Sequence, residues 1–320
     1  MNNAALAVAL NTAGATAGLP YKLVIHRHPD TDAILCLWAA QKFVVPKEVE
    51  CIIIFVDAGD GLSEEEKVGF NVIEMDTGRG ELDQHEKHLK RGSSFKLFCE
   101  KHGLIRDGGL KPFIELACAS DNVEKIDKTS IHYLFKARRS RCKTDGDWQT
   151  FVDRAIEDLD ALYGQYAAWA KSDAEFRKTG DIKTLSNGVK VAFIFGKPNL
   201  REAAYRAGAD VAVWSEHRSG GKSHFGIQTS RNSTVSLRSL ARTVRIAEAQ
   251  ERKIDIAGMD IGASTVTAIP GWYLHDSGNL LTCGTKTHPL EGNQFSKLST
   301  GLLCKLVERT LGKLNVKSVR

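Results

Sequence analysis

The chain has 320 residues, with 44 Lys and Arg against 39 Asp and Glu and a formal net charge of +5 at pH 7. Its 42% hydrophobic and 26% charged residues are the balance of a folded protein, which excludes an intrinsically disordered one. The small positive charge does not by itself indicate nucleic-acid binding, but it is compatible with a phosphate-bearing substrate.

Length and cysteine content set the expected organisation. A chain of this length exceeds what one hydrophobic core usually serves, so we expect two domains. No apolar run approaches the ~18 residues of a membrane helix, and residues 1–20 lack the charged start of a signal peptide. The seven cysteines include no CxxC pair, which argues against a disulfide framework and a thiolate zinc site. We therefore expect a cytoplasmic protein with no membrane partner.

The first half of the sequence alternates buried strands with helices. Short apolar runs predict the strands, and amphipathic spacing predicts the helices that follow them. The predicted strands cover residues 22–25, 51–56 and 71–75, and the predicted helices cover residues 33–43, 95–102 and 113–119. This alternation favours an α/β domain with a mainly parallel sheet covered on both faces.

A long helix is predicted next along the chain, before the second domain. Apolar residues between Phe151 and Trp169 recur at steps of four and three, which predicts a single amphipathic helix. A polar stretch at residues 178–187 interrupts this pattern, and strands are predicted at residues 189–195, 211–214 and 225–229. We place the domain boundary near residue 180, with an N-terminal domain of residues 1–180 and a smaller α/β domain of residues 181–320.

A histidine and two aspartates follow the first predicted strand, in the sequence His26-Arg-His-Pro-Asp30-Thr-Asp32. Carboxylates two positions apart, with an imidazole four residues earlier, can converge on a divalent cation, and this donor set suits Mn²⁺ or Mg²⁺. The carboxyl end of a strand in an open α/β sheet is also where ligands bind. The alternative is structural, with Asp32 as a helix N-cap and Asp30 as a turn former.

A second group of ligand-type residues follows the third predicted strand. Asp76 stands at the strand tip, and His85 follows nine residues later in an acidic stretch that ends at His88. The alternative is an acidic surface loop in which the histidines have no role. Because two such groups of ligand-type residues occur in one predicted domain, a metal site explains them better than the structural alternatives do. We therefore expect a metal site.

Four short patches resemble the DHH phosphoesterase superfamily. Residues 26–32 resemble its first motif, in the HxxPDxD form of manganese-dependent family II pyrophosphatases. Residues 76–88 (DTGRGELDQHEKH) are similar to the DVGG…DHHQ segment of its Myg-type exonuclease branch. Residues 119–122 (ASDN) resemble the AIDN tetrapeptide of that branch, and residues 272–278 (WYLHDSG) are similar to its FVHxSG segment. The resemblance implies a DHH-type catalytic domain followed by a substrate-binding domain.

The same resemblance implies the ligands and the catalytic residues. The implied metal ligands are His26, Asp30, Asp32, Asp76, His85 and Asp121, of which Asp76, His85 and Asp121 would be catalytic. The cofactor would be Mn²⁺, as two ions bridged by Asp76, with Mg²⁺ as the alternative. The chain departs from the family at Gln84, where the family has the first histidine of its namesake pair. His85 would then either coordinate the metal or contact the scissile phosphate.

Cationic segments are the candidates for substrate binding. Residues 218–224 (RSGGKSH) place Arg218, Lys222 and His224 beside two glycines that permit close backbone approach, where DHH proteins carry a substrate-binding segment. His275 lies in the last of the four patches and is the remaining candidate. The basic run at residues 136–143 (KARRSRCK) is either a further substrate contact or a solvated loop.

The expected function is divalent-metal-dependent phosphodiester hydrolysis, and the resemblance implies that short oligonucleotides are cleaved from an end. An inorganic pyrophosphatase or polyphosphatase is the enzymatic alternative, because of the form of the first motif. The alternative that is not an active enzyme is a catalytically weakened protein that binds nucleotides or nucleic acid without cutting it. Gln84 is the residue that motivates this alternative. The expected partner is a short nucleic acid or another phosphate-bearing substrate, and a homodimer is compatible with the sequence.

Overall fold

The computed structural model describes residues 16–78, 82, 92–217, 223–269, 271–284, 290 and 294–314. The chain divides into two compact units, with unit 1 ending at Ala170 and unit 2 beginning at Lys171. This division falls within the long helix α6 (Asp145–Thr179), which includes the whole segment predicted to be helical. The boundary predicted near residue 180 lies at the C-terminal end of the same helix.

Unit 1 contains a three-stranded parallel sheet. Its strands are β1 (Tyr21–His26), β2 (Cys51–Val56) and β3 (Asn71–Glu74), in the order β2-β1-β3. Tyr21 pairs with both Cys51 and Asn71, so the three strands begin in register. The central strand is a run of aliphatic residues buried on both faces, as parallel sheets require. The predicted parallel α/β arrangement is confirmed.

The described part of unit 1 also contains helices, and all but the shortest contribute buried side chains to its core. They are α1 (Thr31–Ala39), which continues as a π-helical turn (Ala40–Val44), α2 (Glu64–Lys67), α3 (Ser94–Lys101), α4 (Lys111–Asp121), α5 (Ile131–Arg139) and the first part of α6. Every residue of α1 is buried, because its sequence is apolar on all sides apart from Thr31 and Asp32. The loop between β1 and α1 is therefore fixed at both ends.

Unit 2 contains a mixed six-stranded sheet in the order β4-β5-β6-β7-β9-β8. The strands are β4 (Asp181–Thr184), β5 (Lys190–Phe195), β6 (Val211–His217), β7 (Ser223–Thr229), β8 (Trp272–Leu274) and β9 (Leu280–Cys283). Only β5 and β6 pair in parallel. The helices are α7 (Arg201–Arg206), α8 (Arg238–Arg252) and α9 (Thr300–Leu311), with a 3₁₀ turn at Pro198–Leu200.

The polar stretch at residues 178–187 is not simply a break, because it contains β4. This edge strand pairs with β5 and leaves three of its four residues exposed, so no apolar alternation marks it in the sequence. All seven cysteines are free thiols, as expected. Among the described residues, no helix combines the length and hydrophobicity needed to cross a membrane.

Candidate metal centre

His26, Asp30 and Asp76 meet at the carboxyl edge of the unit 1 sheet. His26 is the last residue of β1, Asp30 lies in the loop before α1, and Asp76 follows the end of β3 by two residues. One ligand atom from each side chain lies within 4.8 Å of the other two, and His26 Nε2 is 3.5 Å from Asp76 Oδ2. Parallel strands bring these residues together because their carboxyl ends share one edge.

The ring of His26 is oriented by the backbone. Its Nδ1 lies 2.7 Å from the carbonyl oxygen of Arg27, and since a carbonyl can only accept, Nδ1 donates. The tautomer this contact selects leaves the lone pair on Nε2, which is the nitrogen that faces Asp76. A backbone hydrogen bond to one ring nitrogen is the usual way in which a protein prepares the other for a metal.

Asp30 is held as the N-cap of α1. Its Oδ1 accepts from the backbone amides of Asp32 and Ala33, at 2.9 and 3.1 Å. The structural alternative named Asp32 as the cap of this helix, whereas the structure gives that place to Asp30. Capping and metal binding are compatible here, because the cap uses one carboxylate oxygen and leaves Oδ2 for the cluster.

Asp76 is held by a strained backbone and by a serine. Its φ of 51° lies in the left-handed region, which aspartate tolerates better than most residues, and such conformations are concentrated at functional sites. Ser94 Oγ donates a hydrogen bond of 3.0 Å to Asp76 Oδ1. The carboxylate is only 11% exposed, so the cluster is largely shielded from solvent.

Asp32 is fully buried and directs its carboxylate to the N-terminus of α3. Oδ2 accepts from the amide of Ser94 at 2.6 Å, and Oδ1 accepts from the amide of Phe95 at 3.0 Å. Among the described residues the three-membered cluster does not include Asp32. Each of its oxygens has a further lone pair, so coordination by Asp32 stays a prediction.

The carboxylates of this region repel one another. Burial and the charge of Asp76 raise the pKa of Asp30. Burial raises the pKa of Asp32 well above its usual range, and the charges of Asp76, Asp121 and Asp30 add to this effect. Burial acts to lower the pKa of His26, but the hydrogen bond and charge of Asp76 outweigh it and leave that pKa raised. A bound cation would relieve this concentration of negative charge.

The donor set fits a divalent cation. Ligand atoms about 2.0–2.4 Å from one ion are at most about 4–5 Å apart, and the three side chains meet this limit with separations within 4.8 Å. One imidazole with two carboxylates is a combination that suits Mn²⁺. The described residues therefore fit one ion, and a second ion would need the remaining predicted ligands.

The other predicted site residues fall into three groups. Asp121 ends α4 and is close enough for its charge to affect Asp32.

In unit 2, His224 is buried with Nδ1 3.0 Å from the Cys283 carbonyl, and its Nε2 has no hydrogen-bond partner among the described residues. His275 is exposed and accepts from the amide of Ser277. Gln84, His85, Arg218 and Lys222 lie outside the described residues.

Two residues that make contacts at or beside the candidate metal centre were not predicted from the sequence. Ser94 supports Asp76 from 18 positions along the chain, and His132 lies against Thr31, the first residue of α1. The signal for Ser94 was the Ser-Ser pair that precedes an apolar helix, a pattern typical of helix N-termini. Nothing in the sequence relates His132 to Thr31, because that contact depends on how α5 packs.

Comparisons with known proteins give structural similarities only. No family model matches the chain, and no curated protein sequence matches it. A pGpG-specific phosphodiesterase, PggH from Vibrio cholerae, has a TM-score of 0.27 at 13% identity, covering 83% of this chain and 92% of its own. A DHH domain from a protein described as belonging to a family of ribosomal proteins has a TM-score of 0.32 at 12% identity, with 93% and 88% covered.

Proposed function

We propose that the protein is a divalent-metal-dependent phosphodiester hydrolase whose first ion is held by His26, Asp30 and Asp76. The observation that carries this proposal is the convergence of these three side chains at the carboxyl edge of the unit 1 sheet. Burial and the charge of Asp76 raise the pKa of Asp30, and the hydrogen bond and charge of Asp76 raise the pKa of His26, so the two carboxylates and the imidazole interact closely. The resemblance of the four motifs supports the reaction type.

The contacts of each residue at the candidate metal centre define its proposed role there. The Arg27 carbonyl fixes the His26 ring so that Nε2 can act as a donor to the ion. Ser94 fixes one oxygen of Asp76 and leaves the other directed at His26. When bound, divalent cations would lower the pKa of a water and neutralise charge on the phosphoryl oxygens. Asp32, Asp121 and His85 are proposed to complete a second position, as the resemblance implies.

The proposed substrate is a short oligonucleotide cleaved from one end, with Arg218, Lys222, His224 and His275 of unit 2 as proposed contacts. Pyrophosphate is the second candidate substrate, favoured by the form of residues 26–32. A labelled oligonucleotide, a cyclic dinucleotide and pyrophosphate therefore form the substrate panel that separates these possibilities.

The test is hydrolysis by the full-length protein after EDTA treatment, with Mn²⁺, Mg²⁺ or no metal added. We expect cleavage of the oligonucleotide with Mn²⁺ and none without a divalent ion. Asp76→Asn should lower the rate at least tenfold, since it removes a charged ligand. The matched control is Asp153→Asn, an exposed aspartate of α6 that contacts Gln149. Cleavage without metal, or an Asp76→Asn variant as active as the wild type, would overturn the proposal.

Gln84 motivates the alternative of a binding protein without activity. A neutral amide is a weaker ligand than an imidazole, so Gln84→His should tighten Mn²⁺ binding. If His85 replaces the missing ligand, His85→Ala should abolish turnover while Gln84→His changes little. If the wild type and both variants leave every substrate of the panel intact while nucleotide still binds, the binding function is the correct one.

A further inference from the structure

The strand β4 lies at one edge of the unit 2 sheet and pairs on one side only, with β5. The hairpin that joins the two strands is closed by a hydrogen bond from the N–H of Leu185 to the carbonyl of Val189. Hydrogen-bonded pairs alternate along an antiparallel ladder, so Ile182 and Thr184 direct their N–H and C=O groups away from β5. Within the described part of the chain these groups meet no other strand, and they are free to pair with one.

The side chains of β4 carry opposite charges two positions apart. Asp181 and Lys183 project from the same face of the sheet, because side chains alternate between the two faces along a strand. Of the residues that the structure describes, none forms an ion pair with the exposed Asp181, whereas Lys183 Nζ lies 2.7 Å from Glu308 Oε2 of α9. The edge therefore presents a carboxylate without a counter-charge close to a lysine.

This charge pattern is complementary to itself in one register. If two copies of β4 pair antiparallel about a two-fold axis through Ile182, Asp181 of each copy lies opposite Lys183 of the partner subunit. The two Ile182 residues then exchange N–H to C=O hydrogen bonds in both directions. An axis through Asp181 or Lys183 instead places two like charges directly opposite each other, which is destabilising. Lysine on an edge strand usually discourages pairing, but in the first register the aspartate neutralises it.

A groove of about 650 Å³ between β4 and α9 gives a second copy more surface to cover. Leu302 and Leu306 line this groove, half-buried and on the same side of α9 because they are four positions apart. A stable interface buries about 1,000 Å² or more, which two four-residue strands are too short to supply. The two-fold axis brings the α9 helices of both copies to the same face of the joined sheet, where these leucines can pack against each other.

We propose that the protein forms a homodimer in which two β4 strands pair antiparallel about Ile182 and join the six-stranded sheets of two copies into one. Two symmetric ion pairs between Asp181 and Lys183 of the partner subunit fix the register. The interface uses no residue of the candidate metal centre, so the proposal is independent of the proposed function. An extended peptide that adds to the same edge is the competing occupant, and the experiments below separate it from a second copy.

Charge exchange between two variants tests the pairing of side chains. Asp181→Lys places lysines opposite lysines and Lys183→Asp places aspartates opposite aspartates, so each variant alone should dimerise at least tenfold more weakly than the wild type. An equimolar mixture of the two should restore dimers, because it pairs a lysine edge with an aspartate edge. Sedimentation equilibrium of the full-length protein measures this, with the wild type at twice the 35.1 kDa of one chain. Glu251→Lys, an exposed residue of α8, makes the same charge change as Asp181→Lys and should stay dimeric.

Thr184→Pro tests the backbone part of the interface. The N–H of Thr184 faces away from β5, so proline removes no hydrogen bond of the sheet and is tolerated on such an edge. It does remove a donor to the partner subunit, and dimerisation should weaken at least tenfold. Thermal unfolding of the dilute variant, compared with the equally dilute wild type, checks that it is folded.

The outcomes separate the possible occupants of the edge. A wild type that stays monomeric at micromolar concentrations overturns the proposal. A dimer that none of the three variants weakens also overturns it, because the interface then lies elsewhere. Charge variants that remain monomeric when mixed would show that Asp181 does not pair with Lys183 of the partner subunit. A monomer whose β4 amides resist hydrogen exchange would show that another strand occupies the edge in place of a second copy.

Discussion

Asp30 combines a structural task with an electrostatic cost. It caps α1, yet burial and the charge of Asp76 raise its pKa, so its ionised form is less favourable in the folded chain than in the unfolded chain. A carboxyl with a raised folded pKa costs nothing below its unfolded value of about 3.9 and lowers the free energy of unfolding as pH rises through the folded value. The metal-free protein should therefore lose stability from this group at neutral pH.

Replacing Asp30 by Asn should separate the two tasks. Asparagine caps a helix as well as aspartate does, so the metal-free variant should unfold at a higher temperature than the wild type at neutral pH. This advantage should shrink as the pH falls toward the unfolded-state pKa of about 3.9, below which the carboxyl is protonated in the folded and unfolded chains alike. The variant should also bind Mn²⁺ at least tenfold more weakly. Thermal unfolding and Mn²⁺ titration measure both effects, and a variant that is less stable yet binds Mn²⁺ normally would contradict this account.

Among the secondary-structure elements, the N-terminus of α3 contacts two of the predicted metal ligands, Asp32 and Asp76. Its first amides donate to Asp32, and the hydroxyl of Ser94 donates to Asp76. Ser93 serves the helix itself, because its Oγ accepts from the amide of Lys96 at 3.1 Å. Two adjacent serines thus have different tasks, one toward the metal centre and the other toward helix stability.

Alanine substitutions should distinguish these serines. Ser94→Ala removes the contact to Asp76 but keeps the amide that donates to Asp32, so Mn²⁺ affinity should fall about tenfold with little loss of stability. Ser93→Ala removes an N-cap and should lower the free energy of unfolding by about 1 kcal/mol while Mn²⁺ affinity stays unchanged. Denaturant unfolding and Mn²⁺ titration of both variants provide the comparison. Equal losses of affinity would show that Ser94 has no special role.

Elements differ in how well the sequence predicts them, for a physical reason. The strands β1 to β3 were predicted within two residues because each contains a short run of apolar residues, and His26 and Asp76 were placed correctly at the ends of β1 and β3. The strand β8 has three residues and β9 has four, and segments this short show no recognisable alternation of apolar and polar residues. The contacts of Asp32 with α3 depend on packing between segments 62 and 63 positions apart, which no local pattern encodes.

At the scale of the whole molecule, the described residues of the candidate metal centre all belong to unit 1. His26, Asp30, Asp76 and the supporting Ser94 all precede Ala170, and unit 1 has its own core around Trp38. The core of unit 2 is built around other residues, including Trp272 and the apolar face of α8. Metal binding should therefore stabilise unit 1 directly.

Hydrogen exchange can test this division. Addition of Mn²⁺ should slow amide exchange in peptides that cover the β1–α1 loop and the start of α3, because bound ligands suppress local opening. Peptides from α8 should exchange at the same rate with and without the ion. Comparable protection in α8, or none in unit 1, would place the metal elsewhere or show that it does not bind.

Anomalous diffraction from crystals of the full-length protein soaked in Mn²⁺ tests the central claim most directly. We expect a peak within about 2.0–2.4 Å of His26 Nε2 and of a carboxylate oxygen of Asp30 and of Asp76. The same peak should be absent in crystals of Asp76→Asn. A manganese peak remote from these three side chains, or none at saturating Mn²⁺, would contradict the account.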